Sequence, residues 1–113
     1  MSPRRRVIWL PLAVQRVTHI AHHIARDRPR AASQWVDEVF AAVTPLGQFP
    51  ESGRVVPEVG RDDIRELFHG EYRIISKVEA RRVAVLTVRH GRRRFRLEGE
   101  PPPEAPAAKP PQN

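Results

Sequence analysis

Ile64-Arg65-Glu66-Leu67-Phe68-His69-Gly70-Glu71-Tyr72-Arg73-Ile74-Ile75-Ser76-Lys77-Val78-Glu79-Ala80-Arg81-Arg82-Val83-Ala84-Val85-Leu86-Thr87-Val88 decides the fold. Three β-prone runs lie within it: Ile64 to Phe68, Tyr72 to Val78 and Val83 to Val88. Their β-branched and aromatic residues suit a pleated surface. His69-Gly70-Glu71 and Glu79-Ala80-Arg81 are short polar breaks, so the runs form an antiparallel meander. Val83 to Val88 is nearly apolar throughout, as expected of a central strand covered on both faces. In the other two runs the side chains alternate. Arg65 and Leu67 oppose Ile64, Glu66 and Phe68, and Arg73 and Ile75 oppose Tyr72 and Ile74.

Two helices precede the meander. Leu10, Ala13, Val14, Val17, Ile20, Ala21 and Ile24 recur at three- and four-residue steps and line one helical face. Pro29 disfavours helix at Arg28, so this helix ends near Asp27. Ala32, Trp35, Val36, Val39, Phe40 and Val43 line a second helix, stopped near Thr44 by Pro45. So short a link makes the helices antiparallel neighbours. Upstream, Val7-Ile8-Trp9-Leu10 is a short strand ended by Pro11, and it must reach back to pair with the sheet. Pro50-Glu51-Ser52-Gly53-Arg54 and the residues through Pro57 and Gly60 read as loop. The fold class is α+β, in the order β-α-α-β-β-β. A helical hairpin packs on one face of a small, mainly antiparallel sheet. The second face is left uncovered and polar, and one face is expected to collect several arginines.

The chain leaves the last strand as Arg89-His90-Gly91-Arg92-Arg93-Arg94-Phe95-Arg96. Five guanidinium groups with one histidine and one phenylalanine can bind phosphates or carboxylates and stack on bases. The bland alternative is a frayed basic terminus. Residues 1–98 form the domain, and residues 99–113 form a disordered, proline-rich tail. Six prolines and no large apolar residue leave that tail nothing to bury.

The 113 residues carry a net charge of +7; the tail holds Glu100, Glu104 and Lys109, or −1, so the body carries +8. Such a body attracts nucleic acid, acidic protein or an anionic surface, against the plainer reading of a solvated basic shell. The absence of cysteine excludes disulfides, cysteine metal sites and cysteine nucleophiles, and it is compatible with the cytoplasm. No apolar run nears the ~20 residues that span a bilayer. The apolar run after Arg4-Arg5-Arg6 stops at Pro11, too short for a secretory signal. His19 and His23 stand one helical turn apart, but no acidic or cysteine partner completes a metal site, so they read as a solvated face. Trp9 and Trp35 read as core, Gly53 and Gly70 as turn residues, and Glu66 as a partner for a neighbouring arginine.

An ordered set of motifs adds a family. Trp9-Leu10-Pro11-Leu12-Ala13 opens the first helix, and Asp27-Arg28-Pro29-Arg30-Ala31-Ala32 joins the pair. Leu46-Gly47-Gln48-Phe49-Pro50-Glu51-Ser52-Gly53-Arg54 then precedes Val56-Pro57-Glu58. Ile64-Arg65-Glu66-Leu67, Tyr72-Arg73-Ile74-Ile75 and Val88-Arg89-His90-Gly91-Arg92-Arg93 follow. From Val7 to about Arg94 the chain resembles the RelE/ParE superfamily of type II toxin–antitoxin toxins.

The resemblance implies a cytoplasmic toxin in a hetero-oligomer with its cognate antitoxin, in the service of growth arrest and plasmid stabilisation. It implies no cofactor, no metal and no membrane. Two activities come with it. ParE-like members poison DNA gyrase, and RelE-like members cut mRNA on the ribosome. Cutting needs an acid/base and cations for the phosphorane charge. The resemblance assigns Arg73, His90 and Arg93 as the candidates, with Arg92 the alternative to Arg93. The family's C-terminal tyrosine is absent: Phe95 or Leu97 stands there, and phenylalanine transfers no proton. The expectation is therefore a ParE-like toxin that is not an enzyme. The alternatives are a RelE-like ribosome-dependent mRNA endonuclease and a non-catalytic binding module of the same fold. Residues expected to contact antitoxin or target are Arg65, Arg73, Arg89, His90, Arg92, Arg93, Arg94, Phe95 and Arg96.

Overall fold

Proline punctuation and apolar periodicity set the helical half. The computed structural model describes residues 4–97; the proline-rich segment 99–113 lies outside them. Strand β1, Arg6–Trp9, leads directly into helix α1, Pro11–Ala25, and helix α2, Pro29–Val43. Each helix opens on a proline, whose missing N–H would have no intrahelical acceptor there. The Arg28 amide bonds the Ile24 carbonyl, and Pro29 starts the next helix immediately. A 3-10 turn, Thr44–Gly47, ends the hairpin.

The meander forms as expected: β3, Ile64–His69, β4, Tyr72–Val78, and β5, Arg82–His90, are antiparallel neighbours. Gly70, at φ 58°, supplies the left-handed residue of the two-residue β3–β4 turn. β1 pairs with β5 in parallel, from Arg6 opposite Arg82 to Trp9 opposite Val85. One strand was not anticipated. β2, Arg54–Val55, pairs with β3 inside the stretch read as loop, which makes five strands in the order β1-β5-β4-β3-β2. Gly53 permits this pairing, because a Cβ there would lie 2.4 Å from the Glu66 carbonyl oxygen.

The main core lies between the hairpin and the sheet. Ala13, Val17, Trp35, Val39, Val43 and Leu46 pack against Ile74, Val83, Val85 and Val88. Burial of each large aliphatic side chain contributes about 1.5–3 kcal/mol. The second face corrects the expectation of an open polar surface. Val56, Ile64, Ile75 and Phe95 form a second apolar cluster there, flanked by Val59 and Leu86. A register shift at Ile75/Ser76 pairs Ile75 with Thr87 and Ser76 with Val85, so Leu86 bulges toward this cluster. The loop after β2 and the segment after β5 therefore close the face that the helices leave. Among the described residues no helix is long and apolar enough to cross a membrane.

Candidate functional site at the end of the last strand

The arginine-rich segment after β5 is pinned to the second face. Gly91 donates its amide to the Glu71 carbonyl at 2.7 Å, and the Arg93 amide bonds the His90 carbonyl. A Cβ at Gly91 would stand 3.1 Å from that Glu71 oxygen and 3.4 Å from the Phe68 ring. Two residues further on, the backbone meets a buried ionic network. Arg73 donates from Nη1 to the Arg93 carbonyl at 3.1 Å, and Glu58 accepts the Phe95 amide at 3.1 Å. Phe95 then inserts among Val56, Ile64 and Ile75.

Arg73 is the centre of that network. It grips Glu58 with two bonds of 2.8 and 2.9 Å, and Glu66 through Nε at 2.7 Å. Glu66 also accepts from Nε of Arg54. Two arginines and two glutamates make the cluster neutral. Hydrogen bonding from Arg73 holds the Glu58 carboxyl at about 2, against 4.5 for the free group, although burial pushes the other way. The bonds to Glu58 in turn raise the Arg73 pKa. A carboxylate pair this close to a guanidinium leaves little positive potential for a further anion.

The expected site residues thus separate. Arg73 and Phe95 are interior, at 4% and 3% exposure, and serve as framework instead of accessible contacts. Arg65 lies on the opposite face from Arg73. Its register partner is Ser76, and it donates to the carbonyls of Asp62 and Gly53. Glu66 pairs with arginine as anticipated. Arg89, opposite Arg73 in register, holds its guanidinium 5.9 Å from the Phe95 ring centre. Arg92, Arg93, Arg94 and Arg96 are exposed, and no carboxylate among the described residues pairs with them. They carry the site's free positive charge.

His90 is half-buried. Its Nδ1 accepts the Arg92 amide at 3.2 Å, and its Nε2 is 3.0 Å from Glu71 Oε1. Acceptance at Nδ1 puts the neutral ring's proton on Nε2, facing Glu71. Tyr72, the chain's single tyrosine, packs edge-on against both His90 and Trp35. Burial, and secondarily Glu71, raises its pKa. Glu58 entered the sequence analysis only within the Val56-Pro57-Glu58 motif, and no role was expected of it. Apart from that motif, its signal was an acidic residue in a loop rich in turn formers.

A second surface feature lies on the outer side of the hairpin. Val14, Val17, Thr18, Ala21, His22, Val36 and Phe40 line a groove of about 230 Å³. Val14 and Phe40 are exposed there. Among the described residues no group of histidine and acidic side chains is arranged to hold a metal ion.

Comparison with known proteins agrees with this geometry. A chain from the "Chromosomal ParDE TA system from P. aeruginosa" superposes with a TM-score of 0.68, covering 79% of this chain and 98% of that one. At 20% identity it establishes the shared fold. A protein of Sinorhizobium fredii (strain NBRC 101917 / NGR234), named "Putative toxin Y4kP", is 33% identical over 94 residues, spanning 81% of this chain and 94% of that protein. Residues 7–95 match the family model described as "ParE toxin of type II toxin-antitoxin system, parDE". That span runs from β1 to the buried Phe95, and the chain belongs to the ParE toxin family of type II toxin–antitoxin systems.

Proposed function

We propose that the chain arrests growth by poisoning DNA gyrase in the cytoplasm, without cutting RNA, and that a cognate antitoxin neutralises it. One observation carries the choice of activity: Arg73 is already saturated by Glu58 and Glu66. A nuclease needs free cations where charge develops on the phosphorus. Phe95 has no proton to transfer, and the half-buried Tyr72 packs with Trp35 on the helix side of the sheet, away from the face that carries the arm. The exposed arginines of the arm suit contact with a large anionic target, and the toxin family supports the assignment. The groove between Val14 and Phe40 suits the apolar side of an amphipathic antitoxin segment, since apolar surface of this kind commonly marks a partner site.

The test is a gyrase supercoiling assay with purified toxin. Loss of supercoiling, or accumulation of cleaved DNA, with ribosome-bound mRNA left intact, is the expected result. One observation favours the second reading. The His90 ring remains partly exposed and lies beside the arm. Cleavage of mRNA in the ribosomal A site that disappears in His90→Ala would establish the RelE-like activity instead.

A further inference from the structure

Burial of Phe95 removes the aromatic residue that first suggested base stacking, but the structure supplies another. Phe68 is the penultimate residue of β3, on the second face opposite Arg73, and is 53% exposed. The Arg54 guanidinium lies over its ring, 5.3 Å from the centre. On another side the ring meets the backbone at Gly91, where a Cβ would come within 3.4 Å of it. Gly91 leads directly into Arg92 and Arg93. An exposed aromatic ring therefore lies between an arginine of β2 and the backbone turn from which the arginine-rich arm starts.

The patch is held in place from beneath. Glu66 is buried and binds Arg54 on one side and Arg73 on the other. Arg73 in turn fixes the Arg93 carbonyl. The neutral network thus positions Phe68's neighbours without adding charge at the surface. The local acidic exception is Glu71, which is exposed and paired with His90. An exposed ring held on one side by the paired Arg54, with the unpaired Arg92 and Arg93 following Gly91 in the chain, is an arrangement that recognises unstacked bases and their phosphates.

We propose that Phe68, Arg92 and Arg93 form a binding site for a single-stranded nucleic-acid segment, with Arg54 holding the Phe68 ring in place from its other side. One base stacks on Phe68, and the neighbouring phosphates meet the arginines. This goes beyond the gyrase reading and stands whether or not gyrase is the target. An acidic polypeptide would satisfy the arginines, but it has no planar group to match the ring.

Fluorescence anisotropy of the purified full chain tests the site with three short labelled strands: oligothymidylate, oligouridylate, and an abasic deoxyribose strand of equal length. Oligothymidylate should bind about tenfold more tightly than the abasic strand, within the range of one stacked base. Phe68→Leu and Phe68→Ala should erase that preference while keeping the abasic affinity. Either variant should remain folded by circular dichroism, because Phe68 is exposed. Arg92→Gln combined with Arg93→Gln should weaken binding of all strands. It should also shallow the salt dependence by roughly 0.7 in log–log slope for each phosphate no longer neutralised. Whichever of oligothymidylate and oligouridylate binds more tightly names the source as DNA or RNA. Equal affinity for base-bearing and abasic strands would overturn the proposal. So would an unchanged base preference in both Phe68 variants.

Discussion

Arg73 joins two carboxylates from distant parts of the chain, Glu66 on the next strand and Glu58 in the loop after β2. Removing it would leave Glu66 with Arg54 and take from Glu58 the guanidinium that grips it with two bonds. Arg73→Ala should therefore destabilise the chain by about 3–5 kcal/mol, read by chemical denaturation. Lost toxicity with unchanged stability would instead make Arg73 a target contact. Glu58 brings a pH dependence. Its folded pKa, about 2, lies below the free value of 4.5. Its stabilisation is fully present above about 4.5 and is lost as the pH falls through about 2. Glu58→Gln should cost roughly 1–3 kcal/mol at neutral pH, with the difference from wild type closing across that acid window. A difference that stayed constant down to the acid limit would remove Glu58 from the network. At this scale the sequence was legible in part. Alternation put Arg73 and Glu66 each on a defined side of its strand. It could not tell that the two sides coincide, or that a distant loop residue would close the charge balance.

The elements were the most legible level, because their signals are local. Pro11 and Pro29 mark helix starts, a three- and four-residue apolar rhythm marks the buried faces, and Gly70 marks a hairpin turn. β2 escaped because two residues show no period, and its pairing depends on a glycine that lets backbones touch. That dependence is testable. In Gly53→Ala the new methyl would have to displace the Glu66 backbone, which no rotamer change can relieve. The expected cost is about 1–3 kcal/mol, read from the denaturant midpoint. The effect should reach beyond β2, because Glu66 anchors both Arg54 and Arg73. Hydrogen exchange should quicken at the Arg54, Val55 and Glu66 amides before it does in β5. Uniform loosening of the whole sheet would instead mean that β2 has no local stability of its own. Closure of the second face escaped for a related reason. Its cluster unites Val56, Ile64, Ile75 and Phe95 from four separate stretches, and no one stretch carries the pattern of a covering layer.

Over the whole molecule, the proposed division into a body, residues 1–98, and a tail, residues 99–113, rests on the reach of the family match and on composition. The family match stops at residue 95, and Phe95 is the last of the buried core residues in the described chain. Beyond it, Leu97 lines a shallow apolar recess with Leu10, Leu12 and Leu86. Both clusters, the ionic network and the Phe68 patch are built within residues 4–97. Residues 99–113 add a net charge of −1 to a body of +8. Deleting them should leave the melting temperature unchanged, since their composition gives them no large apolar side chain to bury. The loss of that charge should, if anything, strengthen binding to an anionic partner at low salt, and screening should abolish the gain. Growth arrest on induction should persist in the truncated chain. The same truncation carried back through Phe95 should behave otherwise. It removes a buried aromatic side chain and the amide bonded to Glu58, at a cost of about 3–5 kcal/mol. A toxin that lost activity on deletion of 99–113 while keeping its melting temperature would place part of the target contact in the tail.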